Sequence, residues 1–314
     1  MAPTVRRIQV PLPFALQSAN CWLFPGHEPV LVDCGIGTPE AYAALLAGLR
    51  DAGVDPVRLR LLVTHGHVDH AGNAARLRRE FGVPLWAPAA ESAFIETFRR
   101  DAGPRNEEFM AALRAHGVPS DVVRTIGGRS QSIDLHLEDT SISRPVRDGD
   151  AVRLGDHDAR LRLAPGHTPG SILLETADNQ LVSGDTLLEH ITSNAIELRD
   201  ADRGRYRTYL DTLAGLQRYV GCEVLPGHHA PFILTDAVLD GHLAKHHRRR
   251  ARVLEQLDVP RTAWEILPRV LPHLAPDQTF LGMCEVVGHL NALDIDGLVG
   301  RKDDAGGVRR FVRV

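Results

Sequence analysis

Cysteine is scarce in this chain of 314 residues, and the four present, Cys21, Cys34, Cys222 and Cys284, show no C-x-x-C spacing. Too few and too scattered for a disulfide framework, they are expected to be reduced thiols. Long apolar runs are missing as well: no stretch approaches the roughly 20 residues that a membrane-spanning helix needs. The amino-terminal stretch carries Arg6 and Arg7, but Pro11 and Pro13 interrupt the residues after them. Neither a signal peptide nor a membrane anchor is read there, and a cytoplasmic protein is the expectation. A strong charge of either sign is also absent. The net charge of −4 gives no nucleic-acid footprint over the whole surface. There is no RRM-like aromatic signature and no G-x-S-x-G elbow, which removes a Ser–His–Asp hydrolase.

What is present is globular in kind, with 43% hydrophobic and 24% charged residues. The length suits one large domain with a smaller appendage. Residues 5–34 read as strands, VRRIQVPLPF, ANCWLF and PVLVDCG, with a turn at Pro25-Gly26. Thr38 is a good N-cap, Pro39 suits a first helical turn, and Tyr42, Leu45, Leu46 and Leu49 form an apolar helix face. LRLLVTH is a short strand, 73–81 a helix and VPLWAP another strand. This alternation predicts an α/β fold.

Residues 89–128 turn helical, with breaks expected near Gly103-Pro104 and Gly117-Val118-Pro119, and such an insertion reads as a mobile lid. Strands return with ISRPV, AVRLG, ARLRLAPGH, SILLET and QLVSGD. Residues 206–219 are predicted as an amphipathic helix carrying Leu210, Leu213, Leu216 and Val220, and EVLPGH is a closing strand. From Asp240 the chain is mostly helical and ends in two short strands, LVGRK and GVRRFVRV. That segment has twelve Lys/Arg against ten Asp/Glu, net +2, and the remainder twenty-four against thirty, net −6. The division expected is a catalytic domain over 1–239, with 89–128 as its helical insertion, and a C-terminal domain over 240–314.

The chemistry lies in the histidines, of which there are 16. Thr64-His65-Gly66-His67-Val68-Asp69-His70 stands where a predicted strand runs into a loop. A tight loop can aim His65 and His67 at one metal ion while Asp69 and His70 turn toward a neighbour. Imidazole and carboxylate donors suit zinc, manganese or iron, and the lack of cysteine argues against a purely structural zinc site. Downstream, His167 in APGHTPGS, Asp185 in VSGDTLL and His228 in VLPGHH each follow an apolar strand beside Gly or Pro. Such positions leave a side chain pointing over a sheet edge.

Together the HGHVDH run, APGHTPGS, SGDTLL and LPGHH resemble the metallo-β-lactamase-fold hydrolases over roughly residues 5–235. The resemblance implies a four-layer αββα sandwich with a dinuclear site at one edge. It also implies the ligands. His65, His67 and His167 hold the first ion, Asp69, His70 and His228 the second, and Asp185 bridges them. Asp33 in LVDCG matches the acidic residue that orients a ligand. Two divalent ions are expected, zinc first, with manganese or iron as alternatives. Asp69 and Asp185 are the catalytic carboxylates. His190 is a candidate for the pocket wall and His229 is ambiguous; the remaining histidines, and Cys34, read as surface or packing residues.

Such a site implies hydrolysis. A full second ligand set points to the glyoxalase-II-like, thioesterase, lactonase and nuclease branches. The insertion, the C-terminal domain and the stretch PRTAWEILPRVL resemble the branch with acyl-thioester hydrolases and β-lactamase-like protein 2. A thiolate leaving group, of pKa about 8.5, needs little help from a protein acid. A thioester of acyl-CoA or acyl-glutathione type is therefore the expected substrate, with endoribonuclease, phosphodiesterase or lactonase activity as alternatives. The Arg199–Arg207 and Lys245–Arg252 stretches could hold an anionic carrier, or could be solvated helix faces. The C-terminal helices and ribbon could be winged-helix-like. Phe280, Met283, Val287 and Leu290 are expected to cover the pocket or to form a homodimer contact.

Overall fold

The computed structural model describes residues 4–14 and 16–314. The chain divides into two compact units. The first runs up to Asp101 and adds 133–193 and 216–236; the second comprises 102–132, 194–215 and 237–314.

The first unit holds two six-stranded sheets. One has its strands in chain order: β1 (Arg6–Pro11), β2 (Ser18–Phe24), β3 (Val30–Val32), β4 (Arg60–Leu62), β5 (Leu85–Pro88) and β6 (Arg144–Val146). Its first three strands are antiparallel, and β3 to β6 run parallel. The other sheet contains β7 (Ala151–Leu154), β8 (His157–Leu163), β9 (Ile172–Thr176), β10 (Gln180–Gly184), β11 (Glu223–Pro226) and β12 (Phe232–Ile233). Only β10 and β11 pair in parallel there.

Strand β2 shows why the sheets lie face to face. Every residue after Ser18 is buried, and successive side chains of a strand point opposite ways. Ala19, Cys21 and Leu23 pack with Tyr42, Leu45 and Leu49 of helix α1 (Pro39–Asp51). Trp22 and Phe24 pack with Leu161, Leu174, Val182 and Leu225 of the second sheet. Thr38 caps α1 as expected, its hydroxyl accepting from the Ala41 N–H. Helices α2 (Val68–Ala71), α3 (Ala74–Phe81) and α4 (Ala89–Thr97) complete this helical face, with Leu77 and Ile95 in the same cluster. The result is an α/β fold of two packed sheets with helices, as the motifs implied.

The second unit contains α5 (Ala102–Ala115), α6 (Ser120–Asp134) but for its last two residues, and α7 (Arg205–Gly215). It continues with α8 (Asp236–Leu254), α9 (Ala263–Val270), α10 (Thr279–Ile295) and the hairpin β13 (Val299–Asp303) and β14 (Arg309–Arg313). One apolar cluster gathers Leu113, Val123, Val253, Ile266, Val286, Leu290 and Phe311. A cut at residue 239 therefore does not describe the contacts: 102–132 and 194–215 count with the C-terminal helices. The helical stretch 89–128 is split, with Phe94 and Phe98 in the first unit and Phe109 in the second.

The break expected near Gly103-Pro104 lies at residues 98–101, between α4 and α5, and the two residues fall in the first turn of α5, where proline's missing N–H has no intrahelical partner to lose. Two local expectations change. The buried face of α7 is Tyr206, Tyr209 and Leu213, while Val220 beyond it is 38% exposed. Met283, Val287 and Leu290 are not available for a dimer contact, because they lie in their own unit's core. Phe280 is partly buried, edge-on to Phe109. No described helix is long and apolar enough to cross a membrane.

Candidate metal centre

Four strand ends and one loop bring the expected donors together in the first unit. Asp33 follows β3, the His65–His70 segment follows β4, Asp185 follows β10 and His228 follows β11. His167 lies in the loop between β8 and β9. Short apolar strands end in sharp turns here: Gly184 has φ +48° with Thr64 packed where a Cβ would stand. At Gly227 a Cβ would meet Asp185 Oδ1 at 2.4 Å, so only glycine leaves that carboxylate its place.

His65, His67 and His167 form the first group. His67 Nδ1 lies 3.0 Å from His65 Nε2 and 3.0 Å from His167 Nε2. The second group is Asp69, His70 and His228. Asp69 Oδ2 stands 3.5 Å from His228 Nε2 and 3.9 Å from His70 Nε2. Asp185 touches both groups: its oxygens are 3.3 Å from His70 Nε2, 3.4 Å from His228 Nε2 and 3.7 Å from His167 Nε2.

The outward ring nitrogens are held by fixed partners. Thr64 Oγ1 donates to Asp33 Oδ2 at 2.9 Å, so it accepts from His65 Nδ1 at 3.0 Å. Asp33 Oδ2 accepts from His70 Nδ1 at 2.8 Å, and the Ser18 carbonyl accepts from His228 Nδ1 at 2.8 Å. Ser193 Oγ meets His167 Nδ1 at 2.8 Å. Acceptors on the outer nitrogens of His65, His70 and His228 leave Nε2 lone pairs facing inward.

That donor set fits metal ions. His70 Nε2, His228 Nε2 and Asp185 Oδ1 are buried without a hydrogen-bond partner, which is costly unless something else is bound there. Zinc–nitrogen bonds of about 2.0–2.1 Å in a tetrahedron put ligand nitrogens about 3.3 Å apart, close to the spacing of the three histidines. Burial, then the neighbouring imidazoles, pushes His65 down and His67 down to about 3. Both rings are thus neutral and able to ligate. In the second group burial opposes charge, but Asp185, Asp33 and Asp69 outweigh it and raise His70. His228 is likewise raised to about 10 against its burial by Asp185 and Asp69. Asp69 is lowered to about 2, because His70 and His228 outweigh the cost of burying it. The carboxylates ask for positive charge at this spot. Elemental analysis of protein purified without chelator is expected to find about two divalent ions per chain, since seven side chains exceed what one ion accepts. A content near zero, with activity surviving chelation, would end the metal reading.

His190 does not join the groups that could hold an ion; its side chain is 73% exposed and faces Glu189 at 3.1 Å. His229 is exposed, and its carbonyl accepts from Asn20 and Arg7. Cys34 is buried, as expected, and its Sγ donates to the His70 carbonyl. A separate group, His246, Glu285 and His289, lies in the second unit: Arg249 pairs with Glu285, and the Tyr206 hydroxyl meets His246 Nδ1 at 2.7 Å and His289 Nε2 at 3.3 Å, while His246 Nε2 and His289 Nδ1 are buried without a hydrogen-bond partner. Sequence reasoning missed Thr64 and Ser193 as supports of the histidines. Thr64 stands beside His65 and could have been suspected; nothing in the sequence near Ser193 signals its reach to His167.

Residues 16–228 match the family model described as the metallo-beta-lactamase superfamily, and 251–314 that of a metallo-beta-lactamase-like C-terminal domain. The probable metallo-hydrolase YqjP of Bacillus subtilis is 27% identical over 300 residues, covering 92% of each chain. The human acyl-coenzyme A thioesterase MBLAC2 is 30% identical over 226 residues, 68% of this chain and 74% of that protein. Among solved structures, the metallo-beta-lactamase family protein TTHA1429 of Thermus thermophilus superposes with a TM-score of 0.85 at 25% identity, over 99% of this chain and 98% of that one.

Proposed function

The chain belongs to the metallo-β-lactamase superfamily and is a hydrolase of that family, and from that premise we propose that it cleaves thioesters, of acyl-CoA or acyl-glutathione type, with two divalent metal ions. The observation that carries the reading is Asp185, which stands between two three-residue donor groups and touches both. His65, His67 and His167 would hold the first ion, Asp69, His70 and His228 the second. Two such ions, when bound, lower the pKa of water toward about 7 and polarise the carbonyl under attack. Zinc suits the donors best, and manganese or iron would also be accepted.

The chain's own residues then have distinct tasks. Asp33 and the Ser18 carbonyl keep His70 and His228 in the tautomer that presents Nε2. Asp185 fixes the separation of the two groups. Asp69 is the most open of the second group, 15% exposed against 0% for His70 and His228, so it can take the proton of an attacking water. No protein acid is required opposite it, because a thiolate leaves unaided.

The thioester rather than RNA is supported by two things. A relative at 30% identity is named an acyl-coenzyme A thioesterase. Several arginines of the two basic stretches are also already paired within their own unit: Arg203 with Asp294, Arg207 and Arg250 with Asp296, and Arg249 with Glu285. Such pairs leave little charge for a phosphate backbone.

The test is a panel of acyl-CoA, acyl-glutathione, acyl-homoserine lactone, a phosphodiester and single-stranded RNA at several salt concentrations. Thioesters are expected to turn over fastest, with weak salt dependence and little change on replacing Arg248, Arg249 and Arg250 by alanine. RNA cleavage that falls steeply with salt and vanishes in that variant, without thioester turnover, would replace this reading with a nuclease.

A further inference from the structure

Glu91 is a carboxylate in the first turn of α4 and is only 3% exposed. It has no part in the ligand set. Its Oε2 accepts from the Gly66 N–H at 3.2 Å, and its Oε1 accepts from the Gly170 N–H at 2.7 Å. Gly66 is the residue between His65 and His67, and Gly170 is three residues beyond His167. One side chain therefore bonds the backbone of both loops that carry the first histidine group.

The two glycines are shaped to this carboxylate. A Cβ on Gly66 would stand 2.9 Å from Glu91 Oε2 and 2.7 Å from Phe94. A Cβ on Gly170 would stand 2.7 Å from Glu91 Cγ and 2.8 Å from Oε1. No side chain at either position is compatible with Glu91 where it lies. Burying a carboxylate is costly unless its oxygens are satisfied, and here a backbone donor meets each of them. A structure that needed only to fill space at this point would use an apolar residue.

We infer that Glu91 is a positioning residue: it clamps the His65–His67 loop to the His167 loop and so sets the geometry in which three imidazoles meet one ion. The inference rests on the metal-dependent reading above and adds to it a determinant of metal affinity outside the ligands. Glutamine at 91 keeps the shape but turns an amide N–H₂ toward one of the two backbone donors, so one bond is lost. Alanine leaves both N–H groups buried and unpaired.

The experiment is a zinc titration in competition with a chromophoric chelator, on wild type, Glu91→Gln, Glu91→Ala and His167→Ala. Thermal unfolding of each protein with and without metal accompanies it. Wild type is expected to show two binding steps, and His167→Ala identifies the step that belongs to the first group. Glu91→Gln is expected to weaken that same step by about 10–100-fold, the usual effect of removing a partner that orients a ligand. The other step should stay within about threefold. In thermal unfolding, the metal-induced rise in Tm should shrink in Glu91→Gln while the metal-free Tm changes little. If Glu91→Ala does not fold, Glu91→Gln carries the test. Unchanged affinity at both steps in Glu91→Gln, or an equal fall in Tm with and without metal, overturns the positioning role and leaves the proposed function standing. A wild-type protein that binds no zinc overturns both.

Discussion

Replacing Asp185 by alanine is expected to lower thioester hydrolysis by about 10³-fold or more, equivalent to about 4 kcal/mol of transition-state stabilisation. The residue stands between the two donor groups, and its oxygens contact His70, His228 and His167 at 3.3, 3.4 and 3.7 Å. Without it the groups lose a side chain that touches both. Elemental analysis should then show fewer than two ions per chain. The fold should survive. Asp185 follows the left-handed Gly184 at a strand end, and its polar contacts are with other donors, outside the apolar core. A change in metal-free Tm within about 3 °C is the expectation. Steady-state kinetics, metal content and thermal unfolding on one preparation check this. An Asp185→Ala protein that unfolds, beside a His167→Ala protein that stays folded and active, would be the wrong outcome for this assignment.

Asp33→Ala is expected to behave in the opposite way and to damage the fold first. Asp33 is 1% exposed, and its carboxylate accepts from the Thr64 N–H at 2.7 Å, the Thr64 hydroxyl at 2.9 Å and His70 Nδ1 at 2.8 Å. Alanine leaves three buried donors unpaired, at a cost of about 3–5 kcal/mol, the range seen when one partner of a buried charged pair is removed. Its backbone adds to this. Asp33 sits at φ +62°, in the left-handed region that aspartate and asparagine tolerate better than alanine. A fall in Tm of about 10 °C in metal-free protein is expected. Asp33→Asn keeps the shape and the backbone preference, so it should recover much of that stability. It should not recover the metal affinity of the second group, since an amide holds His70 less firmly in its tautomer. Equal stability of Asp33→Ala and wild type would remove Asp33 from its supporting role.

Much of the site was legible because metal chemistry restricts residue type and placement so severely. Seven imidazoles and carboxylates, six of them just beyond strand ends and four of them within the six residues from His65 to His70, leave few other uses. The α/β rhythm was legible for a similar reason: strands such as LVTH and VLPGH are short apolar runs that stop at glycine or a polar turn. Helix α1 announced itself through Thr38 and Pro39. These are local signals, and each needs only a few neighbouring residues to be read.

Long-range packing was not legible in the same way. Nothing local in 102–132 says that its apolar residues share a core with Val286 and Phe311, since Leu or Val looks the same whichever cluster buries it. The face Met283, Val287 and Leu290 looked unpartnered only because its partners are far away in sequence. Whether Pro104 ends one helix or opens the next was not legible either, because proline's effect depends on its position within the turn. His190, close in sequence to Asp185, stands exposed instead.

The sequence by itself determined the candidate donors and the strand ends that carry most of them, because the residue types that suit metal ligation and backbone turning are read over a few positions. Only the tertiary structure decided which nitrogen of each histidine faces inward, that Ser193 and Thr64 support two of them, and that Glu91 joins two ligand loops. Most of those facts depend on hydrogen bonds between residues far apart in the chain, 79 positions for Glu91 and Gly170 and 210 for Ser18 and His228. A bond of that kind costs chain entropy that the rest of the fold has already met, and no short stretch of sequence records it.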